Sequence, residues 1–342
     1  MSAPALPTVG HRASGLLFAL AAAAAFGTSG PFVKPLLEAG WSPAAAGAGR
    51  AGAGGLVLLV PALIALRGRF RMLVAAWRLI LLYGLIAVIG AQVFYFASIE
   101  RLPVGTALLI EYTAPILLVL LAWARTRIAP ALLTVGGAVL SIGGLALVIN
   151  PSGDAGLDAL GVLFALLAAL CLGGYYLIAA LPSGDLPPVT LVSVGLIVGA
   201  VALSLVGATG LVPFTMGFDD VSLPFLGEVS WLVPMGVVVI VATAFAYLSS
   251  LLGAVRLGSR VASFVGLVEV LFAVLFAWLL LGEVPTLLQA LGGALIVGGV
   301  VLVRLQPDPV LPLPLPASPD PLPDPVATGV GRSQTPRRRD HP

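Results

Sequence analysis

The sequence predicts an all-α integral membrane protein in which ten transmembrane helices form two inverted five-helix repeats. Three observations predict it. The first is composition: 59% of the 342 residues are hydrophobic and 9% are charged, where a soluble domain carries about 25% charged residues, and mean hydropathy is +1.11. Such a chain cannot cover a soluble surface, so lipid has to cover it. Second, a helix needs about 20 apolar residues to cross the hydrocarbon, and the chain holds ten such runs: 14–33, 42–66, 74–98, 103–123, 128–149, 158–180, 188–209, 230–252, 260–281 and 286–304. They lack the strict alternation of a membrane β-barrel. Third, the chain repeats itself. At an offset of 155, Leu102 meets Leu257, Ala107 meets Ala262, Trp123 meets Trp278, Gly137 meets Gly292 and Gly144 meets Gly299. An odd number of spans per repeat turns the second copy over, an architecture that puts a site between the repeats at mid-membrane.

The first run follows Arg12 and is Ala-rich, as a secretory signal would be. Its Gly15–Leu20 stretch, however, matches Gly161–Leu166 at an offset of 146, which makes it a retained helix of the first repeat. The change of offset leaves the second copy nine residues longer between its second and fourth helices, in the acidic loop near Asp219-Asp220. In the second run Gly47, Gly49, Gly52, Gly54 and Gly55 thin the helix for close packing. The fifth and tenth runs do the same with Gly136-Gly137, Gly143-Gly144, Gly292-Gly293 and Gly298-Gly299. These small faces serve internal packing or a homodimer. Pro115 in the fourth run and Pro234 in the eighth are expected to kink their helices, and a kink at Pro115 frees a backbone carbonyl near Glu111.

The chain therefore divides into an N-terminal segment 1–13, a first repeat 14–149, a linker 150–157, a second repeat 158–304 and a tail 305–342. The tail's Leu-Pro repeats block helix and sheet and give way to Arg337-Arg338-Arg339, which suits a disordered segment near anionic lipid or a docking motif. Orientation follows from the cations. Arg12, Arg67, Arg69, Arg71, Arg78, Arg125, Arg127, Arg256, Arg260 and Arg304 fall on one face, and only Lys34 and Arg101 on the other. The positive-inside rule then puts both termini in the cytoplasm. Abundant Arg, Ala and Gly with almost no Lys suggest a GC-rich bacterial genome and the bacterial cytoplasmic membrane.

Several function classes drop out. Cys171 is the lone cysteine and the two histidines, His11 and His341, lie in terminal segments, so no metal site or disulfide framework is expected. Ser29 has no base in the helices to activate it, which argues against an enzyme. No cofactor motif and no phosphate-binding G-x-x-x-x-G-K-[ST] loop occurs. No basic patch interleaved with aromatics points to nucleic acid.

Three ionisable residues remain deep in the predicted bilayer. Arg50, Glu111 and Glu269 each lie about 12–13 Å from the end of their run at 1.5 Å per residue. A charge there costs about 2.5–3.5 kcal/mol, so it faces protein or water and marks a pathway, or else forms a buried Arg–Glu pair that fixes packing. At the offset of 155, Glu269 aligns with Ala114, three residues from Glu111, which puts the two acids on about the same face of equivalent helices. One Arg against two Glu leaves a carboxylate without a cation. Either that carboxylate exchanges a proton, or Arg50 and a glutamate hold the two ends of a zwitterion. Gln92 and Tyr95, Tyr112 and Thr113, Tyr175 and Tyr176, and Thr243 and Tyr247 are candidates to line the cavity or to pack helices. A tyrosine offers a ring face and a hydroxyl to a small molecule.

Arg50, the Phe94-Tyr95-Phe96-Ala97 to Leu102-Pro103 stretch, Glu111-Tyr112-Thr113-Ala114-Pro115, Glu269, Leu281-Gly282-Glu283 and the Gly-rich last helix together resemble the EamA-type family of drug/metabolite transporters, over about residues 14–304. The Glu111-to-Pro115 segment is most similar to the threonine/homoserine exporter branch. The resemblance implies ten helices in two repeats, with a cavity surrounded by helices one, three, four, six, eight and nine. It also implies export of amino acids or related metabolites driven by protons. The chain departs from the family at Val270, where a proline often follows the glutamate, and at Arg125–Arg127, where many members have an acidic loop. Uptake, drug or lipid transport on the same fold are the alternatives. A sensor or scaffold would need a signalling domain or structured tail that the sequence does not display.

Overall fold

Local chemistry sets the ends of the helices. The computed structural model describes residues 9–127, 129–149, 157–179, 181, 185–224, 226–257 and 267–305; residues 1–8, the predicted linker up to 156 and the predicted tail beyond Leu305 lie outside them. The first run is two helices, α1 (Val9–Gly27) and α2 (Ser29–Glu38), and it continues past the expected end at 33. They meet at Thr28, whose N–H and hydroxyl both donate to Ala25 O, at 3.2 and 2.6 Å. In the second run, α3 (Pro43–Leu66) is capped by Ser42, whose hydroxyl accepts from the Ala45 N–H, with Pro43 in the first turn. It ends at Arg67-Gly68, both left-handed, and the chain continues into α4 (Arg71–Ala75).

The third run comprises α5 (Trp77–Leu82), a π-helical stretch Tyr83–Gly90 and α6 (Ala91–Ile99). The fourth is broken in the middle into α7 (Val104–Glu111) and α8 (Ala114–Thr126). Pro115 has no N–H to give Glu111 O, so the expected kink becomes a break at Tyr112-Thr113. Then follow α9 (Leu132–Ile149), α10 (Ala159–Ala179) and α11 (Pro188–Ala208). The eighth run holds α12 (Leu232–Val239), a second π stretch Ile240–Phe245 and α13 (Ala246–Leu257). Last come α14 (Val268–Leu281), with the expected start of that run outside the described residues, and α15 (Leu287–Leu305).

One expectation is corrected. Pro234 does not kink its helix. It is the third residue of α12, where backbone N–H groups have no partner within the helix to lose. The irregularity falls instead in the π turns that follow. Within the extra acidic loop, Val221–Leu223 and Gly227–Val229 form an antiparallel hairpin with Val221 opposite Val229.

Among the described residues, seven helices are long and apolar enough to cross a membrane: Ala13–Glu38, Pro43–Leu66, Trp77–Ile99, Val104–Arg125, Ala159–Ile178, Pro188–Ala208 and Leu232–Leu257. Leu132–Val148, Val268–Leu281 and Leu287–Val303 are shorter apolar helices.

The two halves pack reciprocally. A side chain at Gly15 would strike Arg256 and Leu257, and one at Gly161 would strike their equivalents, Arg101 and Leu102. Gly137 lies against Gly299 O and Gly144 against Gly292 O, so α9 and α15 run antiparallel. Under exchange of the repeats each of these contacts becomes the other. Ser141 Oγ donates to Ile296 O at 3.2 Å, and Ile296 is the residue 155 positions on from Ser141.

Candidate functional site

Arg50 lies in α3 among the glycines that let neighbouring helices close around it, and it is 4% exposed. A buried guanidinium needs acceptors on each nitrogen, and it has them. Nε donates to Thr243 Oγ1 at 2.9 Å, Nη1 to Ser29 Oγ at 2.6 Å and Nη2 to Ala242 O at 3.1 Å. Its carbon sits 5.9 Å from the Phe96 ring centroid. All three of these acceptors depend on irregular backbone. Ser29 begins α2 just after the Thr28 break. Thr243 and Ala242 ride the second π stretch, where the Ala246 N–H reaches back five residues to Val241 O and Thr243 Oγ1 donates to Val238 O at 2.8 Å. Widened turns of this kind are frequent at functional sites.

Glu111 is the last residue of α7, directly before the break, and is 7% exposed. Glu269 stands in the first turn of α14 and is half-buried. Tyr112, in the break itself, donates from its hydroxyl to Glu269 Oε2 at 2.7 Å. The two carboxylates, the Arg50 guanidinium and the Tyr95 hydroxyl lie within electrostatic range of one another. The alternative of a buried Arg–Glu pair is not met: among the described residues neither glutamate lies within ion-pairing distance of Arg50. Each guanidinium nitrogen instead donates to a neutral oxygen, of Thr243, Ser29 or Ala242.

Tyr247 stands on the Arg50 side of this group. It lies beside Tyr83 and packs edge-on against Phe26 at 5.0 Å. Tyr83 in turn meets Tyr175 at 6.0 Å, and Tyr175 meets Tyr176 at 5.5 Å. The structure thus gathers Arg50, Tyr95, Glu111, Tyr112, Tyr247 and Glu269. It sets Gln92 apart: that side chain lines a narrow crevice with Gly47, Ala51, Gly199 and Ala200, and its Oε1 is buried with no hydrogen-bond partner among the described residues. Sequence reasoning missed Tyr83, and it missed Ser29 and Thr243 as partners of Arg50. The one available signal was Thr28-Ser29-Gly30-Pro31, which marks a helix break opposite a charged span.

The model of the EamA-like transporter family matches residues 13–150 and 159–305. The uncharacterized transporter YwfM of Bacillus subtilis (strain 168) is 28% identical over 298 residues, covering 85% of this chain and 94% of its own. One solved crystal structure superposes with a TM-score of 0.58 at 20% identity, over 86% of this chain and 97% of that one. At that identity the likeness speaks for the fold alone.

Proposed function

The chain belongs to the EamA-like transporter family, and from that premise we propose that it exports amino acids or related small metabolites by alternating access coupled to protons. Its ten apolar helices form two inverted repeats in this reading, with both termini in the cytoplasm of a bacterial cell. The antiparallel crossing of α9 and α15, two equivalent helices, supports the inversion. Glu111, Glu269, Arg50, Tyr95, Tyr112 and Tyr247 form the substrate and proton site.

One observation carries the coupling. Two carboxylates from different repeats share a buried cluster whose only cation, among the described residues, is bonded to neutral oxygens. Neither acid is neutralised by an ion pair, so a proton is the natural counter-charge. Substrate binding between the repeats then competes with that proton, and opening of one end exchanges one for the other. The Glu111-to-Pro115 segment, with its similarity to exporters of threonine and homoserine, supports the amino-acid class.

The test is release from proteoliposomes loaded with a labelled amino-acid mixture, with and without a pH gradient, for wild type and Glu111→Gln. Gradient-driven release of one class, lost in the variant, is the expected result. Release of no amino acid defeats the substrate class. Gradient-independent release defeats the coupling.

A further inference from the structure

Residues Arg67–Arg78 join the second span to the third. Four of these residues are arginines, at 67, 69, 71 and 78, and none is acidic. The left-handed pair Arg67-Gly68 turns the chain sharply, and α4 then runs beside the ends of both spans. Met72, Leu73 and Ala76 pack inward on Leu66, Ile80 and Leu186. Phe70, Val74 and Trp77 face outward, 56%, 74% and 54% exposed, and all four arginines are exposed beside them. Among the described residues none of these arginines has an acidic partner. Arg69 Nε reaches Leu66 O at 3.4 Å, and Arg78 lies 5.3 Å from the Trp77 ring centroid.

The segment's two ends are the ends of helices long enough to cross a membrane. It therefore lies where hydrocarbon gives way to headgroups, the level at which tryptophan rings settle. Packing of the fold does not require its charge. The connection in the same place of the second repeat, Thr209–Trp231, has no Lys or Arg and carries Asp219, Asp220 and Glu228.

We propose that this elbow is a binding site for the headgroups of anionic phospholipids. The guanidiniums hold the phosphate through paired N–H donors, while Phe70, Val74 and Trp77 enter the acyl boundary. The outward apolar triad decides between a lipid and other anions. A soluble anion has no use for it, and an acidic protein partner would have to cover it against the bilayer. An amphipathic anion anchored in the same bilayer satisfies both halves of the surface at once. The inference rests on the membrane-spanning reading and not on the transported substrate.

The experiment uses the full chain in phosphatidylcholine bilayers doped with brominated phosphatidylglycerol or, at the same mole fraction, brominated phosphatidylcholine. Tryptophan quenching is read for wild type and Trp77→Phe, and the difference isolates Trp77. The expected result is stronger quenching of Trp77 by phosphatidylglycerol. That preference should fall about fivefold for each arginine changed to glutamine, the equivalent of about 1 kcal/mol per charge near an anionic surface. High salt should erase it in the wild type, which keeps the test valid if Arg67→Gln/Arg69→Gln/Arg71→Gln/Arg78→Gln fails to fold. Equal quenching by the two lipids in low salt overturns the proposal, and so does a preference that survives both high salt and the substitutions. None of these readings depends on transport, so a failed efflux assay leaves them intact.

Discussion

Lys34 and Glu283 form an ion pair, Nζ to Oε1 at 2.5 Å, that ties the end of the first span to the loop between α14 and α15. Glu283 Oε2 also accepts from the Val104 N–H at 2.7 Å, and Lys34 Nζ donates to Leu102 O at 3.3 Å. The start of the fourth span is thereby held in the same knot. The repeat equivalents of the pair, Ala180 and Ile128, carry no charge. Those two residues cannot form an ion pair, so under the proposed alternating access the Lys34–Glu283 bond favours the state that makes it.

Lys34→Met or Glu283→Gln should therefore loosen that end. Both side chains are partly exposed, so the pair itself contributes about 0.2–1 kcal/mol; Lys34→Met leaves the Val104 bond to Glu283 in place, and Glu283→Gln keeps an oxygen for it but removes the charge. Hydrogen–deuterium exchange should rise across residues 34–42 and 211–224, which share the Ser42–Thr215 bonds. The swap Lys34→Glu/Glu283→Lys should restore part of the protection. Unchanged exchange in both single variants would remove the latch from the argument.

Arg50 is tied to the π turn of the eighth span through Thr243. Thr243→Val leaves Nε without an acceptor in a dry setting, at a cost of about 1.5–3 kcal/mol. Arg50→Lys should be worse, because one ammonium cannot meet three acceptors fixed by a planar fork. Thermal unfolding in detergent should rank the proteins wild type, Thr243→Val, Arg50→Lys, and both variants should lose transport. Equal melting of Arg50→Lys and wild type would make Arg50 a mobile ligand group rather than an anchored charge.

Tyr112 and Glu269 offer a readout of charge. A hydrogen bond to an ionised acceptor contributes about 1.5–3 kcal/mol, and one between neutral groups about 0.5–1.5 kcal/mol. A double-mutant cycle with Tyr112→Phe and Glu269→Gln, repeated from low to high pH, should give a coupling that grows as pH rises and Glu269 loses its proton. A coupling that stays flat would exclude Glu269 as the exchanging group and leave Glu111.

Much of this arrangement was legible because lipid makes charge costly. Arg50, Glu111 and Glu269 stand out against apolar runs, and the glycine offsets expose the repeat. The partners of Arg50 were not legible, since Ser29 is 21 residues away and Thr243 is 193, and either serine or threonine packs comfortably in any helix. The π stretches slip the hydrogen-bond ladder by one residue, which no side-chain pattern announces. The hairpin's three-residue strands are too short for alternation to register. Gln92 and Tyr95 are three apart and so share a helix face, yet Gln92 lines a crevice with Gly47, Ala51, Gly199 and Ala200 while Tyr95 lies within range of Glu111, Glu269 and Arg50.

The glycine pairs of the fifth span separate packing from composition. Gly143 and Gly144 are neighbours on α9 with equal helix propensity. A methyl added at Gly144 would meet Gly292 O at 2.5 Å and Ile296 N at 2.9 Å, both backbone atoms of α15, whereas one added at Gly143 meets nothing within 4 Å. Gly143→Ala should thus be neutral or stabilise by about 0.5–1 kcal/mol through the unfolded chain. Gly144→Ala forces two helix backbones apart and should cost about 1–3 kcal/mol. Gly292→Ala should cost a similar amount, since its methyl would meet Gly144 O across the same crossing. The double variant Gly144→Ala/Gly292→Ala should fall short of the sum, because the first methyl already opens the gap that the second needs. Denaturation midpoints in detergent test all four proteins. A full sum of the two single effects would mean that the crossing does not yield as a unit, and the reciprocal contact between the repeats would lose its structural weight.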